Sequence, residues 1–498
     1  MSTSFVSIAP SSVNLSPSTI PVTANLSDEE DRISALPDHI LLNILERLND
    51  LRAAIQAGTL SKRWVHLPLS LSRLLVDIAD FLPRDRGRRE HWTVDEVMAT
   101  YTATLTRLLR HSSSGGLAIK DMQLSFYLTD PYLNSIGHAL SDIMECGRTD
   151  CLEFTIWVDT HQPSYEQCVL FKERLMGFLH ACPTTFSWLT RLILQYIIFG
   201  DTDVSNLLNN CNKLEFLSLT YCDTAFDLVT GEDTALTINA PHSALLALEI
   251  HNCGFTWIDL IQAPKLGRLL CLNWIGMNPP LRFGDVPCLD NIALRCAASH
   301  GQTPFVLSHW LTNTTTLSTL YLDFVGHMIW IEPEGPLHLS LIFSNLRDVY
   351  LHNIFYECDL NWTMFILEAA PSLNNLYLKL FRHHCESYRF EDSAKKVNML
   401  WDQASLDLKH NQLSLVEIVG FAVDEKLMKY IRLVMQRAVV LKRICLLDQP
   451  PCDECDAMDR AQSPSLMRWR FPIEEEEKKL VKQQLLDGFS SSVEISIG

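Results

Sequence analysis

From about residue 117 onward the chain repeats one short phrase, an apolar residue followed three and five positions later by two more. The clearest copies are Leu189/Leu192/Leu194, Leu214/Leu217/Leu219, Leu245/Leu248/Ile250, Leu289/Ile292/Leu294, Leu317/Leu320/Leu322, Leu346/Val349/Leu351 and Leu373/Leu376/Leu378. Weaker ones sit at Ile119/Met122/Leu124, Thr149/Leu152/Phe154, Leu266/Leu269/Cys271, Leu413/Val416/Ile418 and Leu441/Ile444/Leu446. The last two apolar positions of each phrase are two apart, so they point to one face of a short strand while the residue between them points to the other. One strand cannot bury that face alone. Copies recurring roughly every 25–31 residues predict stacked strands in parallel, with returning segments such as 202–210 and 362–370 supplying helices or irregular turns on the back.

The period and the phrase together predict an α/β leucine-rich-repeat solenoid with a parallel sheet on its concave face, over residues 117–400. Cys222 and Cys253 fall three residues after the last apolar position, where such repeats place Asn or Cys beneath the turn. In three consecutive copies the outward residue is tyrosine: Tyr321, Tyr350 and Tyr377. Stacked in parallel they form one column at about 4.8 Å per strand, whereas the earlier equivalents are Ile193, Ser218, Glu249, Leu270 and Ala293. Tyr321, Tyr350, Tyr377, Asp348 and His352 are therefore the candidate substrate-binding residues. Tyr350 is expected to be best shielded, with Asp323, Asn375 and Lys379 completing a polar rim. Tyrosine is enriched both at binding hot spots and on exposed strands, so strand propensity with mutual stacking stands beside the binding role.

The front of the chain has a different period. After Pro37, suited to a first helical turn, Ile40, Leu41, Ile44, Leu45 and Leu48 recur at helical spacing; Leu51 to Ile55 and a segment closing on Leu60 and Trp64 follow. Ile33-Ser-x-Leu-Pro-Asp-x-Ile-Leu-x-x-Ile-Leu-x-x-Leu48 followed by Leu60-Ser-Lys-Arg-Trp64 resembles the F-box, a three-helix hairpin that binds the Skp adaptor of cullin-RING ubiquitin ligases. That resemblance implies that Leu36, Pro37, Ile40, Leu41, Ile44, Leu45, Leu60 and Trp64 form or support the adaptor interface. Ala57 stands where many relatives carry Thr, and Gly58 lies inside the last helix. The plainer alternative is a helical hairpin capping a larger domain. The stretch 401–498 resembles the FBD segment that closes many plant F-box/leucine-rich-repeat proteins. The domain reading is a disordered leader over 1–27, which lacks charged residues, the F-box over 28–68, a spacer over 69–116, the repeats over 117–400, and terminal repeats with a cap over 401–498.

Composition narrows the function. A hydrophobic fraction of 47% in 498 residues supports a large core, and a formal charge of −18 with a pI near 5.4 argues against nucleic acid, whose phosphates need clustered cations. Arg84, Arg86, Arg88 and Arg89 are interrupted by Asp85 and Glu90 and read as a solvated loop. The 15 cysteines, often inside apolar runs (Cys211, Cys222, Cys253, Cys271), read as reduced core residues of a cytoplasmic and/or nuclear protein. No run is long enough to span a membrane. Cys452-Asp-Glu-Cys455 lacks the further ligands of a zinc site, and His383-His384-Cys385 reads as a polar strand end. No phosphate loop, nucleophile elbow or metalloprotease helix occurs, so neither cofactor, metal nor catalytic residue is expected. The expected function is substrate recognition within a Skp-cullin-F-box ubiquitin ligase, the front docking the adaptor and the repeats capturing an unknown protein substrate. A repeat scaffold acting outside a ligase is the alternative.

Overall fold

In the computed structural model, which describes residues 33, 36–48, 51–57, 63–64, 67, 70–82, 93–115, 119–145, 149–160, 162–225, 235–274, 280–297, 304–356, 358–381, 401, 409–449, 471–489 and 493–498, the repeated phrase becomes one continuous parallel sheet. Among the described residues that sheet has 14 strands. They are β1 (Arg73–Asp77), β2 (Asp121–Tyr127), β3 (Cys151–Trp157), β4 (Leu189–Gln195), β5 (Phe216–Thr220), β6 (Ala247–His251) and β7 (Arg268–Trp274). β8 (Asn291–Cys296), β9 (Thr319–Asp323), β10 (Asp348–Phe355), β11 (Asn375–Phe381), β12 (Leu415–Val419), β13 (Arg443–Leu447) and β14 (Glu494–Ile497) continue it. Each strand pairs with its neighbours in chain order, which a solenoid imposes because every return segment delivers the chain one strand further along.

The side chains alternate as the phrase requires. β2 reads half-buried and buried by turns along its whole length, and so does β11. A parallel sheet covered on both faces would read as a continuous apolar run; strict alternation means that one face is open. The inward residues stay in register from strand to strand, Leu320 on Val349 on Leu376 on Val416, and all four are buried.

One boundary differs from the sequence reading. β1 lies in the stretch taken as a spacer, and it pairs residue for residue with β2, Leu74 on Met122 and Val76 on Leu124. Leu71, Leu74 and Val76 are buried and carry the same three-and-five spacing, so the sheet begins there rather than after residue 117. At the other end β12, β13 and β14 extend the same sheet, so the terminal segment is repeat structure throughout its described strands.

Among the described residues eight helices have seven residues or more, and the middle repeats return instead through a three-stranded parallel sheet of Leu236–Asn239, Ile258–Gln262 and Leu281–Asp285. Two precede the sheet, α1 (Asp38–Leu48) and α2 (Leu51–Ala57). The early repeats carry α3 (Val94–Gly115), α4 (Tyr132–Met144), α5 (Tyr165–Ala181) and α6 (Asp203–Asn210); the late ones carry α7 (Glu425–Arg437) and α8 (Glu475–Leu486). A Ser164–Gln167 capping box starts α5, satisfying two amide donors that the first turn would leave open. The long early helices leave a thick core, filled by rings: Phe126 meets Phe154 edge-on at 5.2 Å, and Phe178 meets Phe186 at 4.9 Å. At the far end the Arg432 guanidinium donates to the carbonyls of Gln484 (2.7 Å) and Asp487 (2.8 Å), closing the C-terminus of α8, where the helix dipole favours a cation. The segment 1–27, the Arg84–Arg89 loop, the His383-His384-Cys385 run and the Cys452/Cys455 pair lie outside the described residues.

Turning from strand to convex side takes a left-handed residue at several repeats. Tyr196, Tyr221, Asn252, Asn273 and Asn353 have φ between 52° and 59°; the first three directly follow their strands, and Asn273 and Asn353 sit at register shifts within β7 and β10. Asn suits this conformation because its short amide bonds locally; Asn273 donates to Asn252 at 2.7 Å, linking successive turns. Cys222 and Cys253 sit buried beneath two of these turns, with the Cys222 amide donating to Cys253 Sγ at 3.4 Å. The corner after β9 instead uses Val325 (φ 55°) and Gly326 (φ 72°). A Cβ on Gly326 would lie 2.5 Å from the Phe381 ring, at the end of β11. Gly326→Ala is thus strained in both backbone and packing, and urea denaturation should find it destabilised by about 2 kcal/mol or more.

Candidate functional site

Two surfaces need explanation, one on α1 and one on the concave face. α1 carries two apolar stripes a single residue apart. Leu41, Leu45 and Trp64 are buried, packing with Ala54, Leu67 and Leu71 into a small core of their own. Leu36 packs at the margin of that core, half-buried. Pro37 is exposed, and so are Ile40, Ile44 and Leu48, at 39%, 39% and 51%. Of the residues expected at an adaptor interface, Ile40, Ile44 and Pro37 therefore present themselves to solvent, while Leu41, Leu45 and Trp64 hold the helix that presents them. Leu60 and Gly58 lie outside the described residues. Ile33 and Leu48, not assigned from sequence as interface residues, extend the exposed strip.

The presenting helix is tied at both ends. Arg63 Nε donates to Asp38 Oδ1 at 2.7 Å and its Nη2 to the Leu36 carbonyl at 2.6 Å, locking the start of α1 against the segment that carries Trp64. Glu46 Oε1 accepts from the Ser72 amide (2.9 Å) and hydroxyl (2.6 Å), directly before β1. The helix is thus hinged to the first strand of the sheet by a charge-assisted pair, the stronger kind of hydrogen bond.

On the concave face the three tyrosines do form a column. Tyr321 pairs with Tyr350 and Tyr350 with Tyr377 in the strand register. Tyr350 and Tyr377 stack with ring centroids 4.4 Å apart and planes 4° from parallel, whereas Tyr321 and Tyr350 are tilted at 37° and 6.0 Å. His352 packs edge-on against Tyr321 at 4.8 Å, and its Nδ1 lies 3.1 Å from the Tyr321 hydroxyl. Asp348 accepts from Asn375 Nδ2 at 2.7 Å. The structure thus brings Tyr321, Tyr350, Tyr377, Asp348 and His352 together, all of them half-buried.

Two expectations are corrected here. Tyr350 is not the best shielded ring: burial, with the Asp323 carboxylate beside it, pushes the Tyr321 hydroxyl up to about 12, and Tyr350 and Tyr377 are raised less. Asp323 is not on a rim. Its side chain is buried at the β9 corner, where it accepts from the Val325 amide (2.9 Å) and, at both carboxylate oxygens, from Asn353 Nδ2 (2.8 and 2.9 Å), with Arg295 Nε 3.7 Å away. Its role is to hold two successive corners, and the tyrosine column stands on it. Burial also keeps His352 below its usual value, against the pull of the Asp323 carboxylate and with Lys379 adding to the shift. His352 is therefore neutral near pH 7.

The rest of the described structure offers little chemistry. No group of three His, Cys, Asp or Glu side chains is placed to hold a metal ion among the described residues, and no described helix is long and apolar enough to cross a membrane. Burial pushes the thiols of Cys211 and Cys296 up to about 12 and those of Cys222 and Cys271 well above the usual range, so these four are protonated packing residues rather than nucleophiles.

Sheet, register and exposed helix define the class: a leucine-rich-repeat solenoid fronted by a small helical module. Residues 178–495 match the family model of the At1g61320/AtMIF1 leucine-rich-repeat domain, and the chain belongs to that family of plant F-box/leucine-rich-repeat proteins. It is 24% identical over 463 residues to the F-box/FBD/LRR-repeat protein At5g22660 of Arabidopsis thaliana, an alignment covering 86% of this chain and 92% of that one. It is 23% identical over 423 residues to the putative F-box/LRR-repeat protein At3g18150 of the same plant, covering 79% and 85%. Among solved structures, a chain of the TLR13–ssRNA13 complex matches 70% of this chain and 57% of its own length at 14% identity, with a TM-score of 0.30; the solenoid assignment rests on the strand register instead. The relatives are F-box and leucine-rich-repeat proteins by name, which supports a role in protein–protein contact for this chain.

The buried Asp323 network makes a test of the site's foundation. Asp323→Ala leaves the Val325 amide and the Asn353 amide group without their acceptor in a shielded corner, and urea denaturation should show a loss of about 3 kcal/mol.

Proposed function

We propose that the chain is the substrate-recognition subunit of a Skp-cullin-F-box ubiquitin ligase, acting in the cytoplasm, the nucleus or both. The front module docks a Skp-type adaptor and through it a cullin; the concave face captures a protein substrate. The chain itself makes and breaks no bonds. The observation that carries this reading is the second stripe on α1: Ile40, Ile44 and Leu48 stand in solvent although a buried stripe beside them already satisfies the module's own core. Apolar area of this kind is stabilised by about 25 cal/mol per Å² when a partner removes it from water. The Arg63–Asp38 and Glu46–Ser72 ties hold the stripe in place before any partner arrives, which lowers the ordering cost of docking.

Co-purification with the adaptor tests the reading, and the choice of variant matters. Leu41 is fully buried, so Leu41→Asp should unfold the module and lose the adaptor for a trivial reason. Ile44 is on the open stripe, so Ile44→Asp should lose the adaptor while the melting temperature stays near that of the unmodified chain. Adaptor recovery at full yield with Ile44→Asp and with Ile40→Asp would overturn the docking assignment. For the concave face, Tyr350→Ala should weaken capture of the cellular partner by more than about 1 kcal/mol while leaving adaptor binding intact. Undiminished capture would move the site off the tyrosine column.

A further inference from the structure

Among the described residues, the last ring of the column has another ring on one face only. Tyr377 stacks on Tyr350 with planes 4° from parallel, so its other face looks along the sheet toward the next strand, about 4.8 Å on. The residue registered opposite Tyr377 on that strand is Glu417. Glu417 is half-buried, and among the described residues it takes part in no hydrogen bond or ion pair. Of the described cations nearby, Arg443 pairs with Glu494 at 2.9 Å, and Lys379, two residues beyond Tyr377, makes no ion pair among the described residues. Burial raises the Tyr350 and Tyr377 hydroxyls above their usual value, and the Asp348 and Glu417 carboxylates add to the shift.

Elsewhere the same chain joins a ring, a guanidinium and a carboxylate on neighbouring outward positions. On the concave face of the early repeats, Arg191 of β4 lies over the Phe216 ring of β5 at 3.4 Å and 4.0 Å from Glu153 of β3, a guanidinium between a ring and a carboxylate. The convex side repeats it, with Arg282 over Trp257 at 4.4 Å and 3.9 Å from Asp259. In both places the chain supplies the cation itself. At Tyr377 and Glu417 the ring and the carboxylate are on adjacent strands, and the described residues supply none.

We propose that the face of Tyr377 turned away from Tyr350 and the Glu417 carboxylate form a binding site for a cation of the captured protein, an arginine side chain. This deepens the concave-face reading and rests on it. Arginine fits better than lysine because its planar guanidinium lies flat on the ring while its edge donates to the carboxylate, and because it is less strongly hydrated. The chain's formal charge of −18 favours approach of such a partner.

The test is a titration of the full-length chain with N-acetylarginine amide, followed by saturation-transfer NMR, beside N-acetylcitrulline amide, its neutral isostere. Arginine amide should bind at least about tenfold tighter than the citrulline compound. Tyr377→Leu and Glu417→Gln should each weaken it about fivefold, whereas Tyr377→Phe, which keeps the ring face, should stay within about twofold. Asp201→Asn, an exposed carboxylate elsewhere, should change nothing beyond that margin. Equal binding of citrulline amide, indifference to Tyr377→Leu or Glu417→Gln, or an Asp201→Asn loss as large as that of Glu417→Gln would each overturn the site, the last by making the overall field responsible. The two levels separate cleanly. If Tyr350→Ala abolishes capture of the cellular partner but Glu417→Gln alters neither capture nor arginine binding, the concave-face reading stands and the cation site falls.

Discussion

Everything in the sheet depends on the fact that a strand of this chain cannot bury its own inward residues. Ordering a five-residue strand costs about 1–2 kcal/mol per residue, while burying two leucine-sized side chains stabilises by about 1.5–3 kcal/mol each. A single strand therefore comes out unfavourable, and only the flanking strands, with the return segment behind, tip the balance. Leu351 of β10 sits between Leu322 of β9 and Leu378 of β11, and each of those is covered in turn by the next. Coupling of this kind is nearest-neighbour and open-ended. It explains why the strands run in chain order and why the segment before residue 117 had to contribute one as well.

The same constraint frees the other face. Inward positions are held to Leu, Ile, Val and Phe by packing, whereas the outward residue is answerable only to its neighbours on the surface. Where those neighbours are polar and unequal, the surface is quiet. Where three are tyrosine, their rings reach one another and a continuous aromatic strip results, beginning at a ring fixed by Asp323 and His352. The three rings are held differently: Tyr321 by hydrogen bonds, Tyr350 by a tilted contact on one side and stacking on the other, Tyr377 by stacking on one side.

How much of this the sequence disclosed follows from the range of each interaction. The phrase is local, so every copy of it became a strand of the main sheet; β1 was missed because Leu71/Leu74/Val76 carries the phrase inside a stretch bounded by unrelated patterns. The tyrosine column was legible because it needs only the strand register. The fate of Asp323 was not, since its amide partner Asn353 comes 30 residues later and its burial depends on how two corners stack. Periodicity also could not say which stripe of α1 faces inward: Ile40 and Leu41, or Ile44 and Leu45, are adjacent in sequence and only about 100° apart around the helix. Glu417 carried a signal that was present but unread, as the outward residue of the Leu413/Val416/Ile418 phrase that follows the last tyrosine.

The distance between the two surfaces limits how they can cooperate. α1 is anchored to the residue before β1, and the aromatic strip runs from β9 to β11, so eight strand spacings, about 40 Å along the sheet, lie between the anchor and the first ring. A change at one surface would have to travel along a sheet whose inward residues stay in register from strand to strand. On the proposed function, the relation between docking and capture is one of spacing along this sheet. The number of repeats between β1 and β9 determines how far a captured protein stands from whatever holds α1, and inserting or deleting one repeat would move it by about 4.8 Å without altering either surface.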